Sequence, residues 1–421
     1  TVGGNVYGSF ANWSSVDGNS VTIGGGTVNG HVYGGYSIHG SANNNNVTIN
    51  GGRVSSVFGG ASLDGTASGN RVYISGGTVN QIVYGGSSRD NTVTGNSVTI
   101  SGGTVNDIVL GGMSTNSDAV GNIVTISGGT ISGSVYGARS LNGNATGNSV
   151  IISGSPVLTN SILFGGYRDL GTGDVFTGNT LNVKSSGMMA KGVANFQKYN
   201  FYLPTDLANG GTMLTVTNAA NISNATIGVG INGPTTALHP GDRVTLLATG
   251  GLTANGINSR AVGLQGIARI YDFDLTTDVN NLYATVADFS GSTDPTNPPG
   301  PRLNPQTKAL SEGQISAAAF LNQGADILSD RGLQNAQSAA AGAGGQAVGF
   351  AAMGGSSLRY ETGSHTDVNG FSLVLGAARQ IARADSIRLS GLFLENGWGS
   401  YSTYNDFVNA LSVRGDGNTR Y

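Results

Sequence analysis

The side chains that could carry out acid–base chemistry are few in this chain, and they are scattered. Only three glutamates occur, Glu312, Glu361 and Glu395, and all of them lie after residue 300. Cleavage of a glycosidic bond requires two carboxyl groups that face each other across a groove. We interpret six aspartates in variable stretches of the N-terminal part as residues of solvated loops: Asp17, Asp64, Asp90, Asp118, Asp169 and Asp174.

Patterns that bind metals or create nucleophiles are also missing from the sequence. Asp272 and Asp274 share one face of a predicted strand and could bind a cation, but an exposed strand face is the simpler interpretation. There is no calcium-binding nonapeptide repeat and no Gly-x-Ser-x-Gly motif with suitable partners. Residues 414–416 spell Arg-Gly-Asp, an integrin-binding tripeptide that also arises by chance. The four histidines have no metal-ligand spacing: His31, His39, His239 and His365. We therefore predict no enzyme, no catalytic or metal-binding residues and no cofactor.

An internal repeat of 25 or 26 residues organises the N-terminal part of the chain. Each copy reads Gly-Asn-x-Val-x-Ile, then Gly-Gly-x-Val, then Val-Tyr-Gly-Gly, from Thr1 to about Thr180. A fixed period of this length indicates one supersecondary unit that is stacked on copies of itself. The repeated asparagine, whose last copy follows after 31 residues, falls at Asn19, Asn45, Asn70, Asn96, Asn122, Asn148 and Asn179.

Three short strands are predicted in every repeat. Apolar residues two and four positions after each asparagine have the period of a strand. A second apolar position follows the glycine turn, at Val28, Val54, Val79, Val105, Ile131 and Val157. The third strand pairs an apolar residue with an aromatic residue or leucine, at Val32–Tyr33, Val57–Phe58, Val83–Tyr84, Val109–Leu110, Val135–Tyr136 and Leu163–Phe164.

These strands predict a β-solenoid, because a coil of about 25 residues cannot bury a core without its neighbours. Valine and isoleucine would then form an inner column, with coils about 4.8 Å apart. We expect the repeated asparagines to form a structural ladder, in which each amide bonds to the next amide and to the backbone of a turn. The alternative is that asparagine only tolerates the left-handed turn conformation beside glycine.

Composition narrows the classes of function. The net charge is −3, only 10% of the residues are charged, and the few lysines and arginines are spread out, which argues against nucleic-acid binding. The chain has no cysteine, which suits passage through an oxidising compartment. It has no run of 18 apolar residues and no signal peptide. Because the chain starts in the second half of a repeat, we expect its natural N-terminus to have been trimmed.

The repeat fades after Phe164. Residues 181–290 still read as strands but without a period, which predicts the capping end of the stack. Residues 291–306 are rich in proline and predict an extended linker. A helix is predicted from Thr307 to about Leu328, with Ser311 and Gln314 as a capping box. Its apolar stripe would comprise Leu310, Ala317, Leu321, Ala325 and Leu328.

From Gln346 the period returns to two, with apolar residues on one face and small or polar residues on the other. The apolar sets are Val348, Phe350 and Ala352, then Phe371, Leu373 and Leu375, then Ile387, Leu389 and Phe393. Such strands are typical of a membrane β-barrel. Trp398, Tyr401 and Tyr404 follow the third strand, where an interfacial aromatic girdle would lie. An ordinary antiparallel sheet on a soluble core remains the alternative.

Together, the two halves of the chain resemble the autotransporter (type V secretion) family. Residues 304–313 (NPQTKALSEG) and 321–326 (LNQGAD) are similar to the helix that precedes and plugs the family's translocator barrel. Residues 349–355 (GFAAMGG), 358–362 (LRYET) and 415–421 (GDGNTRY) resemble early barrel strands and loops. The repeats look like passenger coils of the family. Residues 178–289 resemble the passenger end that templates folding outside the cell.

The resemblance implies an all-β fold: a right-handed parallel β-helix (β-solenoid) passenger, a short α-helix and a truncated antiparallel transmembrane β-barrel segment. The implied domains are 1–180 (repeats), 181–290 (capping, autochaperone-like end), 291–306 (linker), 307–340 (pore-spanning helix and connection) and 341–421 (first barrel strands). The implied function is that of a self-secreted stalk or adhesin, anchored in the bacterial outer membrane with its passenger on the cell surface. The implied partners are outer-membrane lipid, the barrel-assembly machinery, and a glycan or protein of a host or neighbouring cell, but no nucleic acid.

One departure from the family concerns the C-terminal part. Residues 346–421 suffice for about four strands, whereas single-chain barrels have at least 8. We therefore expect the sequence to be part of a longer protein. Two other functions stay open at this point, namely a β-helical glycan-active enzyme (a polysaccharide lyase or hydrolase) and an inert structural solenoid.

Overall fold

The computed structural model describes residues 1–266, 269–287, 302–304, 306–361, 365–404 and 411–420. Most of the linker predicted at 291–306 lies outside the described residues. The chain divides into two compact units, Thr1–Gly266 with Ile270–Arg302, and Ile267–Arg269 with Leu303–Tyr421. Each unit has a hydrophobic core of its own.

The first unit is a parallel β-solenoid of about nine turns, which confirms the predicted fold class. Equivalent strands of successive coils pair in parallel and in register, so that Val72 lies beside Val47 on one side and Val98 on the other. Each repeated coil contributes four strands, one more than the sequence predicts. The additional strand has two residues and immediately precedes the asparagine turn.

The strands form four stacks. The four-residue stack contains Ser20–Ile23, Asn46–Ile49, Arg71–Ile74, Ser97–Ile100, Ile123–Ile126, Ser149–Ile152 and Thr180–Val183. The six-residue stack contains Val32–Ser37, Val57–Ser62, Val83–Ser88, Val109–Ser114 and Val135–Ser140, with Val6–Tyr7 and Phe10–Ala11 before them and Leu158–Arg168 after them. One corner stack contains Thr27–Val28, Arg53–Val54, Thr78–Val79, Thr104–Val105 and Thr130–Ile131. The other contains Val16–Asp17, Ala42–Asn43, Ala67–Ser68, Val93–Thr94 and Ala119–Val120.

The inner column of valine and isoleucine is the core of the solenoid. Val98, Ile100, Val105 and Val109 of one coil are each fully buried, and their equivalents above and below are packed against them. Removal of apolar surface from water stabilises such a column by about 25 cal/mol per Å². Glycine is required at the corner that follows the four-residue strands, where Gly103 has a φ of 78°. Most residues with a side chain are strained in that conformation.

Val157 is an exception to the predicted inner column. The sequence places it beside Ile131, but its side chain is 49% exposed, and Leu158 occupies the inner position with 1% exposure. Thr130 forms a bridge with Val157, so that Leu158 follows Ile131 in the column. The turn of this coil contains one additional residue, and a shift of one residue moves every following side chain to the opposite face of a strand.

Beyond Thr180 the coils become irregular, and the inner residues become larger. The strands are Met188–Ala194, Lys198–Pro204, Thr212–Val216, Ala220–Asn221, Thr226–Asn232, Arg243–Ala248, Leu252–Thr253, Arg260–Gln265, Arg269–Thr277, Asn281–Val286 and Arg302–Leu303. Asn281–Val286 pairs antiparallel with Arg243–Ala248 and with Arg269–Thr277. A strand that runs against the stack cannot accept a further parallel coil in the same register.

The second unit consists of helices packed on a four-stranded antiparallel sheet. Helix α1 spans Gln306–Ile327, a π-helical turn spans Leu328–Gly332, and helix α2 spans Leu333–Ala341. The strands of this C-terminal sheet are Val348–Glu361, His365–Arg383, Ser386–Tyr404 and Leu411–Arg420, in that order across the sheet. Among the residues that the structure describes, no helix combines the length and the apolar character needed to cross a bilayer.

The predicted surface of α1 is wrong, although the predicted span differs by one residue at each end. Ala317, Leu321 and Ala325 are exposed, whereas Glu312 and Ser316 are buried. The predicted capping box is also wrong, because the helix begins at Gln306 and Ser311 lies inside it. The apolar stripe was therefore no guide to the face of α1 that packs on the sheet.

Candidate functional surfaces

The seven predicted ladder residues lie one above another at the corner between a two-residue and a four-residue strand. The amide Nδ2 of each donates to the Oδ1 of the next, with distances of 2.9, 3.1, 2.9, 2.9, 3.2 and 3.3 Å from Asn19 to Asn179. All except Asn19 are fully buried. The structure thus brings the whole predicted set together in one continuous column.

Each internal amide in this column has all of its hydrogen-bonding capacity used. Asn96 shows the pattern: its Nδ2 donates to Asn122 and to the carbonyl of Ala67, each at 2.9 Å. Its Oδ1 accepts from both the backbone N–H and the Nδ2 of Asn70, again at 2.9 Å. Aspartate could not replace it, because a carboxylate supplies no donor.

The second glycine of the Val-Tyr-Gly-Gly motif makes room for this column. A Cβ added at Gly86 would lie 2.5 Å from the amide of Asn96, and one at Gly112 would lie 2.6 Å from that of Asn122. The asparagine and the Gly-Gly pair therefore depend on each other in the structure, although they are separated in the sequence. Only glycine can occupy a position where another group approaches the backbone this closely.

The structure contains a second buried polar column, formed by serines, that the sequence analysis does not predict. A serine ends each regular strand of the six-residue stack, and its hydroxyl donates to a carbonyl of the preceding coil while it accepts from an N–H three residues later. For Ser62 the partners are the carbonyl of Gly40, at 2.7 Å, and the N–H of Gly65, at 2.8 Å. The signal was present, since serine recurs five residues after the valine of the motif, at Ser37, Ser62, Ser88, Ser114 and Ser140.

Aromatic rings line the outer surface of the six-residue stack. Tyr33 and Phe58 stack with ring centroids 4.6 Å apart, as do Phe58 and Tyr84. Tyr7 extends the row on one side of Tyr33 at 5.0 Å, and Leu110 replaces the aromatic ring in the coil after Tyr84. Because each internal ring stacks on its neighbours, its faces are already covered. Only ring edges and hydroxyl groups are offered to a ligand, which disfavours the stacking of sugars on these rings.

The carboxylates of the solenoid form pairs with basic or amide side chains of adjacent coils. Asp64 contacts His39 of one coil and Arg89 of the next, the latter at 2.6 Å. Arg89 also contacts Asp90 at 2.9 Å, and hydrogen bonds from Asn116 and then Arg89 hold the pKa of Asp90 below its usual range. These contacts link adjacent coils to one another at the surface of the solenoid.

Three further acidic residues of the solenoid, Asp118, Asp169 and Asp274, serve local structure as well. Arg139 holds Asp169 through two hydrogen bonds, of 2.6 and 2.7 Å. Asp118 accepts from the backbone N–H of Asn144, and Asp274 pairs with Arg260 at 2.8 Å. Within the described ranges, no three His, Asp or Glu side chains are placed to hold a metal ion. The contacts observed here give these carboxylates a structural role and do not point to acid–base chemistry.

The C-terminal sheet has two different faces. Its outer face carries a band of exposed apolar side chains, and the helices cover the opposite face. The band comprises Met353, Phe371, Leu375, Leu392, Leu394 and Trp398, whose exposed fractions are 63, 42, 50, 83, 60 and 47%. We call these six residues the apolar band. Asn396 is a polar exception between Leu394 and Trp398 on the same face.

The faces of the strands differ from those expected. Phe350 pairs with Gly376, and Gly376 pairs with Phe393, so that both phenylalanines lie on the face covered by the helices. The predicted aromatic girdle is also divided, since all three of its residues lie inside the third strand. Trp398 and Tyr404 are on the outer face, whereas Tyr401 packs near Phe320 of α1.

The face of the sheet that α1 covers holds several buried polar groups. Gln323 of α1 hydrogen-bonds to both Ser356 and Ser372, and Ser316 contacts Thr366 at 3.4 Å. Glu312 and Glu395 are each 1% exposed in this unit. A buried carboxylate and several buried hydroxyls would be unfavourable in an ordinary apolar core. The helix-covered side therefore buries polar groups beside a small apolar cluster of Ala319, Phe320 and Val368, while the outer face of the first three strands carries the apolar band.

A row of glycines seats α1 on the sheet. Gly370, Gly399 and Gly417 are adjacent across three strands. A Cβ added at Gly399 would collide with the ring of Phe320, and one at Gly417 would lie 2.9 Å from the same ring. A Cβ added at Gly370 would lie 2.2 Å from the side chain of Gln323. We call these three residues the glycine seat.

The Arg-Gly-Asp tripeptide lies within the fourth strand of the sheet. Arg414, Gly415 and Asp416 pair there with Ser402, Tyr401 and Ser400. An extended segment of this kind is held by the sheet ladder.

Comparison with known proteins returned no match to a protein-family model, to a curated protein or to a solved structure. The structure of the chain itself therefore carries the functional argument.

The asparagine column predicts a large effect of Asn96→Ala on stability. The variant leaves the Asn70 N–H, one Asn70 amide hydrogen and the Ala67 carbonyl without partners, and we expect the free energy of unfolding to fall by about 3 kcal/mol or more. Urea denaturation followed by circular dichroism measures it. The control is Asn106→Ala at an exposed position, which should change stability by less than about 0.5 kcal/mol. Equal effects of the two substitutions would contradict the role of the column.

The stacked aromatic rings around Tyr33 predict that its hydroxyl group ionises at a higher pH than that of an exposed tyrosine. Burial raises the pKa of Tyr33 to about 12, with smaller contributions from the neighbouring tyrosines. Because the folded pKa lies above the usual value of 10.0, the stability that this residue contributes is full below pH 10 and lost as the pH rises through 12. Spectrophotometric titration of tyrosinate should show that Tyr33→Phe removes one group from the late fraction. An unchanged late fraction would show that the prediction is wrong.

The glycine seat predicts that a bulky side chain displaces α1. The chain has no cysteine, so Ser316→Cys with Thr366→Cys gives one engineered pair between helix and sheet. We expect these thiols to oxidise to a disulfide, and addition of Gly399→Leu should prevent it. Thiol labelling after mild oxidation measures the outcome. Gly349→Leu on the outer face is the control and should leave the disulfide intact. Equal disulfide formation in all backgrounds would contradict the seat.

Proposed function

We propose that this chain is a self-secreted bacterial surface protein of the autotransporter type, in which the solenoid is the displayed passenger. The C-terminal sheet would then be part of the translocator barrel in the outer membrane. The observation that carries the proposal is the apolar band on the outer face of the first three strands of this sheet, opposite a helix-covered face that buries polar groups. Among these polar groups, Gln323, Ser316 and Glu395 are buried between helix and sheet.

The height of the apolar face supports a bilayer as its environment. On the second strand, the apolar residues lie between Asn369 and Arg379, ten residues apart, which is about 34 Å along an antiparallel strand. At a tilt of about 45° this length spans roughly 24 Å, close to the ~25 Å apolar band of outer-membrane barrels. A water-soluble sheet of this exposure would instead be an aggregation hazard.

The solenoid supports a role in display. Some of its charges, such as Asp64 with Arg89, are paired between coils, its aromatic faces are covered by one another, and its outer faces carry small polar residues such as Ser97 and Thr99. Such a surface suits a stalk, or an adhesin that holds a glycan or protein through many weak contacts. We propose no enzymatic activity for it.

The test is expression of the complete gene in a Gram-negative host, with fractionation and protease treatment of whole cells. The protein should be in the outer membrane, and added protease should release fragments of the solenoid from intact cells. Leu394→Arg should reduce the membrane-inserted amount, because a charge near the centre of the lipid-facing surface costs about 2–4 kcal/mol. Leu264→Arg is the matched control, an exposed leucine of the solenoid whose substitution should have no such effect. Recovery of the protein in soluble fractions, or equal effects of both variants, would contradict the proposal.

A further inference from the structure

Three arginines form a cluster at one end of the apolar band. Arg379 and Arg383 lie on the second strand of the C-terminal sheet, on either side of Ile381, and Arg388 of the third strand pairs directly with Ile381. Residues that are paired in register, or two apart on one strand, share a face. All three guanidinium groups therefore project from the outer face, and all three side chains are exposed. We call them the arginine cluster.

The arginine cluster has no acidic partner in the described part of the chain. No carboxylate lies within 4.0 Å of Arg379, Arg383 or Arg388 there, and Asp385 in the adjoining turn pairs with none of them. The opposite end of the same strands differs. There Arg359 binds Asp367 through two hydrogen bonds, of 2.7 and 2.9 Å. At that end Arg359 is paired, although Arg414 of the fourth strand is exposed without a carboxylate partner among the described residues, whereas all three arginines of the cluster are left for an external anion.

The position of the cluster indicates which anion it fits. Arg379 follows directly on the apolar residues of the second strand, and Leu392 of the apolar band lies four residues from Arg388. A bilayer that covers the apolar band would place its phosphate groups at the level of the guanidinium groups. Guanidinium binds phosphate in a planar, two-point geometry, and a long side chain can reach the headgroups while its stem stays in apolar surroundings.

We propose that Arg379, Arg383 and Arg388 bind the headgroups of anionic phospholipids in one leaflet. This inference rests on the proposed function, because it requires the apolar band to lie in lipid. It adds a lipid class and a direction: the hairpin between the second and third strands lies in the leaflet that holds the anionic lipid. The paired charges at Arg359 and Asp367 lie at the opposite interface.

The experiment uses the full chain with Trp13→Phe, which leaves Trp398 of the apolar band as the only tryptophan. Its fluorescence reports entry into vesicles of phosphatidylcholine alone, or of phosphatidylcholine mixed with phosphatidylglycerol, at low ionic strength. We expect the anionic lipid to raise the partition coefficient by roughly tenfold or more, since each arginine near an anionic surface contributes severalfold. Replacement of all three arginines by glutamine should remove most of that increase and leave binding to phosphatidylcholine unchanged.

Three further variants and conditions make the outcome specific. Arg53→Gln, Arg71→Gln and Lys198→Gln together change the net charge equally at exposed positions of the solenoid, and should keep the full increase. Arg→Lys at all three cluster positions should keep part of it and show that the variant folds. Inorganic phosphate at equal ionic strength should compete no better than chloride.

The results separate the two proposals. Uptake of Trp398 by both kinds of vesicle, with no effect of the glutamine variant on the anionic increase, overturns the lipid site and leaves the membrane sheet standing. An equal loss in the solenoid control shows an effect of net charge alone and also overturns the site, as does competition by inorganic phosphate. Failure of both kinds of vesicle to take up Trp398 overturns the membrane role together with this inference.

Discussion

The buried asparagine amide is the interaction on which the solenoid depends. A coil must bend sharply where the four-residue strand begins, and the bend leaves backbone donors and acceptors inside the stack. The amide of Asn96 satisfies the Asn70 N–H and the Ala67 carbonyl of the preceding coil and donates to the Asn122 amide of the next, and Gly86 leaves the space that the amide fills. Unsatisfied polar groups in that position would offset much of the gain from burying the Val and Ile column. Asparagine and glycine are therefore the residues that define the repeat, and apolar residues lie between them.

Much of the solenoid could be predicted from the sequence, because stacking presents the same environment to every copy of a position. The periodic Val98 and Ile100 indicate an inner face, and the recurrence of Asn96 indicates one location. The buried serine column was equally periodic but easily missed, since serine also recurs in exposed turns, as at Ser75 and Ser101. Val157 could not be placed, because a single additional residue in a turn changes the face without changing the composition.

The C-terminal unit was harder to predict for a different physical reason. The period of a strand shows that it has two unlike faces, but it does not show which of them a helix covers. Here Phe320 is buried because glycines lie opposite it, whereas Leu394 is exposed and Glu312 is buried. The alternation revealed that the strands have two unlike faces. Which face the helix would cover depended on side-chain sizes in strands far apart in the sequence, so a stripe along the helix alone pointed to the wrong surface.

The equivalence of the coils has a consequence for how such a gene can change. Asn45 and Asn70 are 25 residues apart and Asn70 and Asn96 are 26, yet both intervals end in the same hydrogen bonds. Unequal recombination that removes or duplicates one such interval rejoins a coil to a neighbour of the same kind, so every amide finds an identical partner. Changes of this type alter the reach of the rod in steps of one coil and require no compensating substitution. Length is then a trait that selection can adjust without disturbing the hydrogen bonds of any remaining coil.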